Sequence, residues 1–271
     1  MAKKKPNKLT VALQSLLGGL RAYGWILMAI LVGVLAISAI GSREAAHVRT
    51  VDPVIKPLAS GDALVTEQEL LDRLAASFTK PMSDLTLGDI DVERVETVLE
   101  GQAFVADADA YVDDNMQLNI SVTQRVPLLR VIAENGQNYY LDEDGVRMPL
   151  SESFTARVPV VSGNVVLWSD RFMEEDGHQL KDLVELAHYL RADEFLNALV
   201  EQIYVKTNGE FVLAPKVGDQ VIHLGRYQTE KTRERLGRLK IFYREGLPYE
   251  GWRKYKSFDL RFSDQVIARK R

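Results

Sequence analysis

The sequence predicts an α+β protein: a single transmembrane helix near the N-terminus, a small α+β domain, and then a mixed β-rich domain with flanking helices. Three observations carry this. Residues Ala22–Ser42 form an uncharged apolar run. Two capped helical stripes between Thr66 and Gly101 give way to alternating strands, and beyond residue 130 hairpin signals recur around further helical stretches.

The apolar run comes first. At the helical rise it spans about 31 Å against a hydrocarbon core of roughly 30 Å, so one pass fits. Ahead of it stand Lys3, Lys4, Lys5, Lys8 and Arg21 with no acidic residue, which holds residues 1–21 in the cytoplasm and sends the rest of the chain outward. Tyr23 and Trp25 fall at the inner headgroup level, and Arg43 closes the far end. A cleaved secretory signal is the rival reading, because Ala39-Ile40-Gly41 offers a small-residue cleavage pattern. The length of the run and its late start favour a retained anchor. Export follows under either reading.

Composition suits a folded, exported body. Hydrophobic residues make up 46% of the chain, enough for a core beyond one membrane helix, so a disordered stalk is excluded. There is no cysteine, hence no disulfide framework and no thiolate chemistry. The net charge is −4, and removing the +5 of residues 1–21 leaves −9 for residues 22–271. An acidic body is a poor match for nucleic acid, whose binding rests on neutralising phosphates.

The first domain begins after the anchor. Ala45–Leu64 carries Pro53 and Pro57 and reads as a connector or edge strand, since proline supplies no ladder donor. Thr66 and Glu69 make a capping-box pair ahead of Leu70, Leu71, Leu74 and Phe78 at helical spacing. Asp91 caps a second helix whose stripe is Val92, Val95, Val98 and Leu99, ending at Gly101. Then the period changes. Ala106, Ala108, Ala110 and Val112 alternate with Asp107, Asp109, Tyr111 and Asp113, and after the turn at Asp114-Asn115, Leu118, Ile120 and Val122 alternate with polar residues. The aspartates lie at strand spacing on a wet face, without the glycine-turned loop that wraps calcium.

The β-rich domain opens with Asn138–Leu150, where Asp142-Glu143-Asp144-Gly145 reads as a hairpin turn. An EF-hand calcium loop is excluded there, because Tyr140 and Ser151 occupy ligand positions. Leu183, Val184, Ala187 and Leu190 mark one helix, and Phe195, Leu196 and Leu199 a short second one. Asn208-Gly209 joins a strand over Ile203–Thr207 to Phe211, Val212 and Leu213. A strand over Gln220–Leu224 precedes a helix from Thr229 to Tyr243, with Leu236, Leu239, Phe242 and Tyr243 inward. Its other face carries Lys231, Arg233, Arg235, Arg238 and Lys240 outward. The closing strand alternates Phe258, Leu260 and Phe262 with Asp259, Arg261 and Ser263, continues through Val266, Ile267 and Ala268, and ends in Arg269-Lys270-Arg271.

Chemistry has no sequence signature here. Walker A, GxGxxG, GxSxG and HExxH patterns are all missing, and His47, His178, His188 and His223 do not fall at helical ligand spacing. The expectation is a non-catalytic protein with no cofactor, no metal site and no small-molecule substrate.

An extended segment, two helices and a hairpin over Val48–Arg130 resemble a POTRA domain. Its end carries Gln124-Arg125-Val126-Pro127, and NYYLDEDGVRMPL from Asn138 to Leu150 and RVPVVSG from Arg157 to Gly163 follow it. Together with the anchor, this order is similar to the FtsQ/DivIB family of bacterial cell-division proteins, in its Bacteroidetes-like form. The resemblance implies a basic tail at 1–21, a transmembrane helix at 22–42, a POTRA domain at 43–130 and an FtsQ-type β domain at 131–271. It implies recruitment to the division septum through the POTRA domain, binding of FtsB/DivIC-like and FtsL-like membrane proteins by the β domain, and a part in regulating septal peptidoglycan synthesis from the inner membrane. Two other classes stay open: a POTRA-containing outer-membrane assembly or secretion component, which needs barrel strands not visible after Arg130, and an anchored cell-wall enzyme, which needs a carboxylate or serine site. The residues themselves add a mechanism. A late strand that nothing follows offers an edge for an incoming strand, with Trp252, Tyr255, Phe258, Leu260, Phe262, Val266 and Ile267 as candidate contacts.

Overall fold

The structure, a computed structural model, describes residues 25–26, 28–38, 47–59, 61, 63–78, 84–134, 136–151 and 155–271. The basic tail and both ends of the expected membrane span lie outside them. Residues 28–38 are helical, with apolar side chains such as Met28, Leu31, Val34 and Ile37 exposed around the circumference. Among the described residues no helix is long and apolar enough to cross a membrane.

The first folded unit runs β1 (Thr50–Lys56), α1 (Glu67–Ser77), α2 (Val92–Glu100), β2 (Val105–Val112) and β3 (Gln117–Gln124). Its sheet has the order β1-β3-β2, with β1 parallel to β3 and β2 antiparallel to it. Both expected caps form. Thr66 Oγ1 accepts from Glu69 N–H at 3.3 Å while Glu69 Oε2 accepts from Thr66 N–H at 2.8 Å, and Asp91 Oδ1 accepts from Arg94 N–H at 3.3 Å. Leu70, Leu74, Val95 and Leu99 pack under Leu118, Ile120 and Val122. One alternation needs correcting: Ala106 is exposed and Val105 is buried in its stead, because the pairing with β3 slips between Val105 and Asp107. The aspartates do line the wet face.

The rest of the chain builds one nine-stranded mixed sheet. Its strands are β4 (Pro127–Ala133), β5 (Asn138–Asp142), β6 (Arg147–Met148), β7 (Val160–Gly163), β8 (Val200–Val205), β9 (Phe211–Pro215), β10 (Val221–Gly225), β11 (Tyr255–Asp259) and β12 (Ile267–Lys270). They lie in the order β12-β11-β10-β9-β8-β7-β4-β5-β6, so the sheet starts at Pro127, ahead of residue 131. Parallel neighbours need crossovers, and helices supply two of them: α3 (Gln179–Ala192) and α4 (Glu194–Leu199) join β7 to β8, while α5 (Thr229–Ile241), a π-turn (Phe242–Gly246) and α6 (Leu247–Glu250) join β10 to β11; the parallel pair β4 and β7 is connected through β5 and β6. These helices cover one face, where Leu183, Leu186, Leu190, Leu236 and Leu239 meet Val161, Ile203, Leu213 and Ile222 in one core. Gly163 is demanded at its place. Its φ is +91°, and a Cβ there would sit 2.3 Å from the Val205 carbonyl oxygen.

The joint between the two units explains the Gln124-Arg125 pair. Gln124, 3% exposed, accepts from Leu64 N–H at 2.6 Å and donates to the Lys56 carbonyl at 2.9 Å, and Arg125 pairs with Asp142 at 3.1 Å. Asp142 Oδ1 also accepts from Asp144 and Val146 N–H, so the buried carboxylate of the Asp-Glu-Asp-Gly turn is already occupied while Glu143 and Asp144 face solvent.

Candidate partner-binding edge

β12 closes one side of the sheet, and among the described residues no strand lies beyond it. The expected single closing strand is really a hairpin: β11 stops at Asp259, the chain turns with Asp264 at φ +59°, and β12 returns antiparallel. Main-chain direction follows from two bonds. Leu260 N–H donates to the His223 carbonyl on β10 at 2.9 Å, so Phe258 and Leu260 face β10, while Ser257 and Asp259 face their β12 partners Arg269 and Ile267. Alternation then aims the N–H and C=O of Ala268 and Lys270 at the open edge. The bond from Arg271 N–H to the Lys254 carbonyl, 3.2 Å, extends the same alternation.

Side chains divide in the same way. Val266 and Ala268 pack toward the helix-covered core, which places Ile267 and Arg269 on the opposite face. Phe258 and Leu260 are wholly buried and Tyr255 is 8% exposed, so these three candidate contacts are corrected: they fill the core beneath the edge. The reason is an aromatic cluster formed by the second crossover. Phe242 and Tyr243 meet the Phe258 ring edge-on at 5.2 and 5.7 Å, and Tyr255 lies 6.1 Å from it. Trp252 and Phe262 remain about half exposed, Trp252 resting against Tyr243 at 5.5 Å. Beside Val266 a groove of about 410 Å³ opens between the hairpin turn and Ile241, Phe242 and Glu245.

The turn is held from below by charges that the sequence reading left unassigned. Arg261 donates to Asp259 at 2.7 Å and to Glu210 at 3.2 Å, tying β11 to the β8–β9 hairpin. The bond from Arg261 holds the buried Asp259 carboxyl below the usual carboxylate range, and Asp259 in turn raises Arg261. The available signal was Asp259 and Arg261 two residues apart, on one face of a strand. The basic face of α5 also needs correcting. Arg238 donates to the Phe262 carbonyl at 3.1 Å, Arg235 to the Leu224 carbonyl at 3.1 Å, and Lys240 pairs with Asp193, so of the five only Lys231 and Arg233 are exposed, and Arg233 itself pairs with Glu230. Arg238 therefore acts as a brace for the turn at the mouth of the groove.

The histidines are separate structural groups. His178 caps α3 through Nδ1, His188 meets the Glu143 carbonyl, and burial lowers the affinity of His223 for its proton. Among the described residues no group of three or more His, Asp or Glu side chains is placed to hold a metal ion.

Residues 126–269 match the model of the family described as FtsQ/DivIB, C-terminal related, which takes in the sheet from β4 to all but the last residue of β12. A cell division protein FtsQ from Rhodothermus marinus is 26% identical over 163 residues, covering 56% of this chain. The chain spans only 55% of that relative's length. With the family's model matching more than half of its residues, the chain belongs to the FtsQ/DivIB family of cell-division proteins.

Proposed function

We propose that this protein is a non-catalytic, membrane-anchored scaffold of the bacterial division machinery, which binds FtsB/DivIC-like and FtsL-like partners at the edge of β12 and through them regulates septal peptidoglycan synthesis. The observation that carries the reading is the open edge itself: Ala268 and Lys270 present main-chain groups to no strand among the described residues, next to a groove with Ile241, Phe242 and Val266 on its wall and to half-exposed aromatic residues. An incoming strand satisfies those groups and lays alternate side chains into the groove beside Val266.

The fully apolar circumference of residues 28–38 suits lipid better than water and supports a single-pass anchor in the inner membrane, with the N-terminus cytoplasmic. The β-α-α-β-β unit ending at Gln124 supports the reading of a POTRA-type domain, whose role is recruitment to the septum. Its buried joint to the sheet transmits orientation from one unit to the other.

Co-expression of the full chain with FtsB/DivIC-like and FtsL-like proteins of the same cell is the test. Co-purification as one complex at defined stoichiometry is the expected result. Retention of neither partner, from a chain that is folded and septally located, overturns the proposed partner class.

A further inference from the structure

We infer that a second site, remote from the β12 edge, binds a short peptide with both its ends free: an ammonium seated on Asp182 and a carboxylate on Arg226. The site is a cavity of about 410 Å³ outside the C-terminal ends of β7, β8 and β10, where Asn164, the Thr207-Asn208-Gly209 turn and Arg226 meet the first turn of α3. In sheets with parallel strands and helical crossovers, this is the position where ligands collect, because chain ends diverge there and leave a crevice.

The chemistry is set by what the lining residues have left over. Glu185 is occupied, accepting from Tyr227 Oη at 3.1 Å and from Thr229 Oγ1 at 3.4 Å. Asp182 accepts no hydrogen bond from any described residue, and its neighbour Lys181 is turned to Asp176. Burial, then the nearby Glu185, push the Asp182 carboxyl up to about 6 against the opposing pull of Lys181. On the same cavity, the Arg226 guanidinium has no ion pair among the described residues. One free anion and one free cation on a single cavity match a zwitterion.

Size and the remaining polar groups point to a peptide. Gln179 accepts from Val166 N–H through Oε1 and keeps its NH₂ group for a ligand carbonyl, whereas Asn208 is engaged twice, accepting from Glu210 N–H and bonding the Glu210 carboxyl. Phe211 and Tyr227, with ring centroids 6.5 Å apart, give the cavity an aromatic side. A cavity of this volume exceeds a single small amino acid and accommodates two or three residues. The inference stands independently of the partner proposed for β12, since none of its residues lies on that edge.

Titration calorimetry of the full chain in detergent with trialanine, N-acetyl-trialanine, trialanine amide and alanine tests it. Saturable binding of trialanine is expected, with each blocked peptide and free alanine at least tenfold weaker. Asp182→Asn and Arg226→Gln should each weaken trialanine at least tenfold with unfolding temperatures no lower than the parent's, and amide shifts on adding trialanine should fall at Asn164 and Asn208. Equal binding of the blocked peptides, binding unchanged in both variants, shifts confined to other regions, or no saturable binding overturns the site.

Discussion

Replacing Ala268 by proline removes one outward N–H and puts a ring where an added strand would lie. The residue before it, Ile267, already sits in a strand, so the extended conformation that proline demands of its predecessor is in place. The β11–β12 ladder loses nothing, because its inward groups belong to Ile267 and Arg269. The folded protein should therefore keep its stability within about 0.5 kcal/mol. Partner binding loses a main-chain bond worth about 1 kcal/mol and suffers a steric clash besides, so the dissociation constant should rise at least about tenfold. Ile267→Pro is the mirror experiment: it breaks the ladder to Asp259, loosens the turn, and should lower stability by about 2 kcal/mol. Thermal unfolding and partner titration of both variants decide the matter. If Ala268→Pro binds its partner like the parent, or if the two variants lose stability equally, the main-chain polarity assigned to β12 is wrong.

Ile120→Asp, at a side chain 2% exposed under α1 and α2, should cost about 4 kcal/mol, whereas Asp109→Ala on the wet face should change stability by less than about 0.5 kcal/mol, as read by denaturant unfolding. Asp259→Asn leaves Arg261 with Glu210 alone and should cost about 2 kcal/mol at neutral pH. Because the folded Asp259 carboxyl is held below its unfolded value, that contribution is present above about pH 4 and fades as pH falls further, so the two proteins' unfolding temperatures should converge in acid. Asp182 runs the other way: its folded carboxyl is raised to about 6, so the parent loses stability as pH climbs from about 4 to 6, and Asp182→Asn should abolish that slope.

Local signals in the sequence translated directly into structure. Thr66 with Glu69, Asp91, Asn208-Gly209 and Asp142–Gly145 act within a few residues, and each makes the cap or turn its chemistry dictates. What depended on distant partners was not legible. The slip that exposes Ala106 is decided by β3, and the parallel insertion of β1 beside β3 joins segments more than 60 residues apart. Arg238 and Lys240 read as a solvated basic face because carbonyls at 260 and 262 and the carboxylate at Asp193 come to them only through the crossover. At the candidate edge the strand character of Val266–Ala268 was legible in the sequence, and its place at the side of the sheet is where the structure puts β12. The hairpin was not: strand periodicity runs unbroken through Phe262, and the turn is set by the Asp264 backbone and by the distant contacts of Arg261 and Arg238.

A partner strand added to β12 would change amide hydrogen exchange of the full chain measured with and without an FtsB/DivIC-like partner. Ile267 and Arg269 should be protected in both states, through their ladder with β11. Ala268 and Lys270 should exchange freely alone and become protected in the complex. Contradiction would be a stable complex in which Ala268 and Lys270 stay as open as before while protection appears elsewhere, on the β1–β3 unit or on α5.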